Sequence, residues 1–147
     1  MLKTLELLKS KLIKSYELLD FKQGEDFYFL KIKAVLIDNS ELHIREFISE
    51  KEYLYSYHWQ DEKGSLRIRW DNSPHHKHLK TFPHHKHTPK IEESKEMSME
   101  DVLRVIEEKL KRQSFFFHNL DILVPIYSLS LISTSRRLSL KMSGCIS

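Results

Sequence analysis

Histidines are concentrated in one short stretch of the chain. Six of the nine histidines lie within the thirteen positions from His75 to His87, and the pentapeptide Pro-His-His-Lys-His occurs twice, at 74–78 and at 83–87. Histidine is the side chain whose ordinary pKa lies nearest to neutrality. Clustered histidines therefore indicate proton transfer, metal ligation or pH sensing more than packing.

Acid–base chemistry on RNA is one use for such a stretch. It requires one group that takes the proton of a 2′-hydroxyl and another that protonates the leaving oxygen. A carboxylate just before the stretch could orient an imidazole, as carboxylates do in other acid–base sites. The candidate catalytic residues are Asp71, His75, His76, His84, His85 and His87.

Basic residues accompany the histidines. The net charge of the chain is only +3, but lysines and arginines gather in and beside this stretch. A local basic surface attracts phosphate, and a cation beside the imidazoles would stabilise a charged transition state. The candidate phosphate-binding residues are Arg67, Arg69, Lys80 and Lys86.

Two other interpretations of the stretch stay open. Metal ligation requires imidazoles that converge on one ion at about 2.0–2.1 Å. The sequence has no HExxH or CxxC motif, so we predict neither a metal nor another cofactor. Alternatively, Asp71 and Asn72 bond backbone groups in a buried turn and have no chemical role.

The helices that would flank this stretch are predicted from apolar spacing. Residues 2–19 carry leucines at helical intervals, which indicates an amphipathic helix that packs on its own domain or, less often, on a partner. A second helix is predicted to begin after Ser98, which resembles an N-cap with Asp101 three residues later. It continues to about Arg112.

Four strands are predicted between the helices. They cover residues 27–38, 41–49, 53–60 and 66–71, and turn signals such as Asp-Asn-Ser and Asp-Glu-Lys-Gly separate them. Short polar connections favour antiparallel neighbours. The predicted fold class is α+β, a four-stranded antiparallel meander sheet flanked by an N-terminal and a C-terminal helix in the order α-β-β-β-β-α.

The third predicted strand has one aromatic face. Tyr53, Tyr55, Tyr57 and Trp59 alternate with other residues and therefore share that face. Such a face usually packs beneath a helix, because each ring buries a large apolar area. The alternative is an exposed platform on which bases stack.

The composition changes near Gln113. An apolar run to Thr134 is long enough to suggest a transmembrane helix, but His118, Asp121 and Pro125 interrupt it, so a membrane is not predicted as a partner. We predict one α+β domain over residues 1–112. Residues 113–147 are predicted to be an apolar and serine-rich tail, disordered or loosely docked.

The totals describe a soluble globular chain. It has 147 residues, of which 40% are apolar and 31% are charged, enough for one domain. The single cysteine, Cys145, excludes an internal disulfide. The N-terminus lacks the uninterrupted apolar segment of a signal peptide, so we expect a cytoplasmic protein.

Two segments resemble motifs of the TumE family of prokaryotic toxins. Residues 69–76, Arg-Trp-Asp-Asn-Ser-Pro-His-His, and residues 81–87, Thr-Phe-Pro-His-His-Lys-His, match the family pattern, and a Tyr- and Trp-rich strand end at 57–61 precedes them. The resemblance covers roughly residues 25–112. It departs at Ser73, where alanine is usual, and in the tail. The residues carried over by motif are Arg69, Asp71, Asn72, Pro74, His75, His76, Phe82, Pro83, His84, His85, Lys86 and His87.

The resemblance implies a small cytoplasmic toxin encoded beside an antitoxin, TumA, that carries a helix-turn-helix DNA-binding domain. It assigns no catalytic residues. Three hypotheses follow: a metal-independent ribonuclease that uses the histidines as acid and base, a non-catalytic module that binds RNA or the antitoxin, and a zinc-dependent enzyme. RNA is the expected target, and homo-oligomerisation stays open.

Overall fold

The computed structural model describes residues 2–133, with side chains over residues 3–116. The chain divides into two units, Met1–Glu107 and Glu108–Ser147. All strands in the described residues belong to the first unit and form one antiparallel sheet, in which the strands are neighbours in chain order. The elements are α1 (Leu2–Leu7), β1 (Ile13–Gln23), β2 (Phe27–Leu36), β3 (Glu41–Ser49), β4 (Tyr53–Gln60), β5 (Leu66–Asp71), β6 (His85–His87), β7 (Ile91–Glu93) and α2 (Met99–Ser133).

The predicted α+β class, with an antiparallel sheet and a helix at each end, is confirmed, but the predicted number of four strands is wrong. The described sheet has seven strands. The four predicted strands correspond to β2, β3, β4 and β5. The additional strands β6 and β7 have three residues each, and β6 consists of His85, Lys86 and His87. Such short polar segments carry no hydrophobic alternation that could reveal them.

The predicted extent of the N-terminal helix, residues 2–19, is also wrong. Helix α1 ends at Leu7, and Ile13–Gln23 form β1, which pairs with β2 along its length. Most residues of β1 are exposed, including Tyr16, Leu18 and Leu19. An edge strand with both faces largely in solvent needs no alternation of apolar and polar residues, so its leucines also fitted a helical period.

One face of the sheet forms the core. Side chains from β2 to β5 on this face are almost fully buried, and the buried residues of α2 (Val102, Leu103 and Ile106) belong to the same core. Tyr55, Tyr57 and Trp59 are 3%, 0% and 1% exposed, so the aromatic face of β4 packs inside the domain and is no stacking platform.

Polar bonds attach α1 and the turns to this core. The Tyr57 hydroxyl donates to Glu46 Oε1 at 2.6 Å, and the Thr4 hydroxyl of α1 donates to Glu46 Oε2 at 2.9 Å. Burial and then the charge of Glu46 raise the pKa of Tyr57, which keeps this hydroxyl a donor. The Trp59 indole donates to Ser40 Oγ at 2.9 Å, between β4 and the β2–β3 turn. These bonds satisfy polar groups that burial would otherwise leave unpaired.

Helix α2 begins where the sequence indicated and extends further than predicted. Ser98 Oγ accepts from the Asp101 backbone N–H at 3.2 Å, and the Ser98 N–H donates to Asp101 Oδ2 at 3.2 Å, a reciprocal cap. The first part of the predicted tail, residues 113–133, is a continuation of α2. Residues 134–147 lie outside the described residues. Among the residues described, no helix combines the length and hydrophobicity that crossing a membrane requires.

The β2–β3 turn contains an ion pair that makes stability depend on pH. Asp38 Oδ1 accepts from the Ser40 backbone N–H at 3.2 Å, and Oδ2 accepts from Arg67 at 2.8 Å. Burial alone would raise the pKa of Asp38, but the bonds from Ser40 and Arg67 outweigh it and lower that pKa. The carboxylate therefore stabilises the fold above its unfolded-state pKa and loses this effect as the pH falls through its folded-state pKa.

We expect Asp38→Asn to lower the free energy of unfolding by about 1 kcal/mol at pH 7, because the charge-assisted bond to Arg67 is lost. The difference from wild type should shrink below about pH 4, where the wild-type carboxyl becomes protonated. Urea unfolding at pH 7 and pH 3 measures both values. Asp26→Asn, in an exposed turn, is the matched control. An Asp38→Asn effect equally large at both pH values would contradict this account.

Candidate functional site

Strands β5 and β6 bring two predicted motifs onto one face of the sheet. The register pairs Arg69 with His87 and Asp71 with His85. These side chains lie on the face opposite the core, because side chains alternate along a strand and the intervening Trp70 is buried in the core. His76, in the β5–β6 connection, contacts both His85 and His87. We call Arg69, Asp71, His76, His85 and His87 the β5–β6 cluster.

A buried carboxylate lies at the centre of the β5–β6 cluster. Asp71 is 0% exposed. Its Oδ1 accepts from the Ser73 backbone N–H at 3.1 Å, and its Oδ2 accepts from Arg69 Nε at 2.8 Å. Burial alone would raise the pKa of Asp71, but the Ser73 bond and the charges of Arg69 and His85 outweigh it and lower that pKa. Asp71 is therefore an anion at neutral pH.

His85 is held between two acceptors. Its Nδ1 lies 2.9 Å from the carbonyl oxygen of Pro83, and its Nε2 lies 3.1 Å from Asp71 Oδ1. A carbonyl can only accept, so Nδ1 carries a hydrogen. The side chain of His85 is 1% exposed, and the separation of 3.1 Å leaves no room for water between Nε2 and the carboxylate. A proton or another cation is needed between these two atoms to avoid repulsion of their lone pairs.

His87 and His76 complete the β5–β6 cluster. His87 Nε2 lies 3.5 Å from Asp71 Oδ2, a separation without hydrogen-bond geometry, and this buried nitrogen has no hydrogen-bond partner. The ring centre of His85 lies 4.6 Å from that of His76 and 4.9 Å from that of His87. Burial is the first cause that lowers the pKa of both His76 and His87. Nearby positive charges add to it, and together they outweigh the opposing charge of Asp71. Both rings are therefore neutral at pH 7, with one nitrogen lone pair each.

The β5–β6 cluster contains possible metal ligands. One ring nitrogen from each of His76, His85 and His87 lies within 4.8 Å of the other two. The sequence indicated no metal motif, because these residues are separated by eight and one intervening positions and converge only through the β5–β6 connection.

His84, another predicted catalytic residue, contacts Tyr55 on the core face and not the β5–β6 cluster. Its Nδ1 lies 3.0 Å from the Tyr55 hydroxyl, and its ring stacks on the Tyr55 ring at 5.9 Å. The same hydroxyl accepts from the Met97 backbone N–H at 3.2 Å. Burial raises the pKa of Tyr55 to about 12, so the hydroxyl stays protonated while it is hydrogen-bonded to His84. His84 thus links the β6 region to the core face.

Four other predicted residues do not join the β5–β6 cluster. Lys86 pairs in register with Trp70, on the core side of β6, and forms an ion pair with Glu92 at 3.0 Å. The Arg67 guanidinium binds Asp38 and lies 4.8 Å from the Trp59 ring centre. His75 and Lys80 are exposed in the connection between β5 and β6.

The predicted alternative of a buried turn, in which the side chain bonds backbone groups, is confirmed for Asn72. Its Oδ1 accepts from the Tyr55 backbone N–H at 2.9 Å, and its Nδ2 donates to the Tyr53 carbonyl at 2.7 Å. These bonds tie the chain beyond β5 to the neighbouring strand. Asp71 bonds a backbone group as well, at Ser73, but it also binds Arg69 and faces His85.

Sequence reasoning missed two histidines on the same sheet face. The register aligns His43 of β3, His58 of β4, Arg69 of β5 and His87 of β6 in one row. The signal was available, because His43 and His58 occupy the positions between the apolar residues of their strands. Their alignment with Arg69 depended on the register, which alternation alone does not specify.

A groove also lies on this side of the sheet. It has a volume of about 400 Å³, and its lining includes Phe29, Arg45, Phe47 and Ser73. The Arg45 guanidinium lies 5.5 Å from the Phe29 ring centre. Ser73 connects the groove with the β5–β6 cluster, because its backbone N–H bonds Asp71. The groove therefore adjoins the β5–β6 cluster.

A family model described as Toxin TumE matches residues 2–110 of the chain. The match includes all seven strands and every member of the β5–β6 cluster. It also includes α1 and β1, which precede the segment where the sequence motifs showed the resemblance. Searches among curated proteins and solved structures found no significant match.

We expect Asp71→Asn to reduce the free energy of unfolding by about 3 kcal/mol, because it leaves the buried His85 facing a neutral amide and removes the charge that holds Arg69. Urea unfolding at pH 7 measures the change. Glu41→Gln is the matched control, since Glu41 is a partly exposed carboxylate on the same sheet face. It should cost less than about 1 kcal/mol. Equal losses in the two variants would contradict a special role for the buried carboxylate.

Proposed function

The chain belongs to the TumE toxin family, and from this premise and the β5–β6 cluster we propose that it arrests growth by histidine-dependent cleavage of RNA. Family membership gives the toxin role and implies an antitoxin as partner. The observation that supports cleavage is the convergence of two imidazoles and an arginine on one buried carboxylate, with the third imidazole, His76, against the two rings.

Arg69 is the proposed phosphate-binding group. Its Nε is bonded to Asp71, which fixes the plane of the guanidinium. The side chain is 39% exposed, so its terminal N–H groups can reach an anion. Guanidinium groups bind phosphate oxygens through paired N–H donors, and a fixed guanidinium loses little freedom on binding.

His76 and His87 are the proposed proton-transfer groups. Both are partly exposed, whereas His85 is enclosed. A neutral imidazole can take the proton of a 2′-hydroxyl, and the lowered pKa values of His76 and His87 favour that state. His85 and Asp71 are positioning residues, which hold the rings and carry the compensating charges. The imidazole that has taken this proton becomes an imidazolium, and the proton then passes to the leaving oxygen, directly or through the other ring, as the phosphorus–oxygen bond to that oxygen breaks.

The proposal extends to the biological setting of the toxin. We propose a cytoplasmic protein that an antitoxin with a helix-turn-helix domain neutralises, as the resemblance implies. RNA as the target rests on the chemistry of the β5–β6 cluster, because a guanidinium beside neutral imidazoles suits a phosphodiester with a neighbouring hydroxyl.

A second candidate function is a non-catalytic module that binds RNA or the antitoxin. The groove lined by Phe29, Arg45 and Phe47 favours it, because aromatic rings beside a guanidinium bind a base or an aromatic side chain without any proton transfer. The two functions differ in their need for His76 and His87, since neither histidine lines this groove.

We expect induced expression of the full chain without antitoxin to arrest growth and fragment cellular RNA. His76→Ala and His87→Ala should each lower the cleavage rate by about 100-fold or more, because each removes a proton-transfer group. The measurements are colony counts and electrophoresis of total RNA, with the toxin level determined by immunoblot. His78→Ala is the matched control, an exposed imidazole in the same connection that should keep full toxicity.

Arrest with intact RNA in the wild type would exclude nuclease action while leaving the family role untouched. Undiminished arrest and RNA cleavage in both His76→Ala and His87→Ala would show that the β5–β6 cluster is not the active site. If wild type and both variants arrest growth with RNA intact, the binding module is the better account.

A further inference from the structure

We propose that His76, His85 and His87 form a binding site for one divalent transition-metal ion of the zinc class. The proposal goes beyond RNA cleavage, because it concerns an occupant of the β5–β6 cluster in the absence of RNA. It rests on the orientation of His85, the spacing of the three rings and the unpartnered nitrogen of His87. Neutral imidazoles are ligands that zinc, copper, nickel and cobalt ions accept.

The orientation of His85 is that of a metal ligand. Its Nδ1–H donates to the Pro83 carbonyl at 2.9 Å, which places the lone pair on Nε2 when the ring is neutral. Metal-binding histidines commonly donate their second N–H to a carbonyl or carboxylate, because this fixes the tautomer and the ring orientation. Nε2 then faces Asp71 Oδ1 at 3.1 Å, where a cation is needed between the two atoms. A metal ion bound to Nε2 would place positive charge beside the carboxylate in place of that proton.

His87 contributes a nitrogen without a partner. Its Nε2 is buried and makes no hydrogen bond. A buried polar atom without a partner costs free energy, and coordination of an ion would remove that cost. The nitrogen also lies 3.5 Å from Asp71 Oδ2, so the carboxylate is beside the second ligand as well as the first.

The spacing requires only a small closure of the rings. Two ligands at about 2.0–2.1 Å from a tetrahedral ion lie about 3.3–3.4 Å from each other. One ring nitrogen from each histidine now lies within 4.8 Å of those of the other two, so an inward movement on the order of 1 Å brings the rings to that separation. His76 can supply the movement, because it lies in the connection between β5 and β6 and not on a strand.

Charge and coordination number also suit such an ion. The anion Asp71 lies beside two of the three nitrogens, which offsets the positive charge of Arg69 and favours a dication. Three imidazoles leave a fourth position of a tetrahedral ion open for water or for a ligand from outside. The ion would use the same lone pairs that proton transfer requires, so at any moment the β5–β6 cluster can serve only one of the two purposes.

The test is metal binding by the full chain, stripped with chelator and then titrated with Zn²⁺ alone and with Co²⁺ alone. We expect one tightly bound ion per chain, and the visible spectrum of tetrahedral Co²⁺. His76→Ala and His87→Ala should each weaken this ion at least tenfold. His78→Ala should bind it like wild type, because His78 is exposed and outside the three ligands. Equal binding by all four proteins would overturn the proposal, since exposed histidines would then be the ligands.

Two further measurements keep the test independent of folding and of toxicity. X-ray absorption of the Zn²⁺-loaded wild type counts its imidazole ligands without any variant: three support the site, and one or none overturns it. Circular dichroism verifies that each variant is folded. The titration contains no RNA, so its failure leaves the proposed cleavage untouched, and intact RNA in the growth assay leaves the metal site untouched.

Discussion

The buried charge of Asp71 is the constraint on which the site depends. A carboxylate with no exposed surface is stable only when donors and positive charges surround it. Arg69, the Ser73 backbone and His85 provide these partners from β5, the following turn and β6. The three-residue strand β6 is therefore joined to β5 by side-chain electrostatics as well as by backbone pairing. The same electrostatics fixes the ring of His85 beside those of His76 and His87.

The two faces of the sheet separate packing from chemistry. The core face carries the aromatic side chains of β4 and encloses Glu46 through Thr4 and Tyr57. The opposite face carries His43, His58, Arg69 and His87 in one row. Since side chains alternate along a strand, residues that are neighbours in the sequence lie on opposite faces and have different contacts. His84 contacts Tyr55 on the core side, whereas His85 meets Asp71 on the other.

Family membership supports the biological role of the protein, whereas the β5–β6 cluster supports the proposed reaction. Membership of the TumE family defines a toxin with an antitoxin partner, without assigning a reaction. The reaction that we propose comes from the chemistry of the β5–β6 cluster, in which two neutral imidazoles adjoin a guanidinium held by a carboxylate. Metal binding and proton transfer are alternative uses of the same lone pairs. The groove around Phe29 and Arg45 offers a binding surface that needs neither.

The sequence by itself determined the α+β class, the four strands β2 to β5, the Ser98 cap and the motifs of the toxin family, because alternation, turn residues and capping act locally. It missed β1, because the spacing of its apolar residues fits a helix as well as a strand. It also missed β6, which is too short and polar to show alternation. Among the predicted site residues, only tertiary structure separated His76, His85 and His87 from His84 and Lys86. Strand register and the face of β6 decide which rings meet Asp71, and both depend on contacts between residues far apart in the chain.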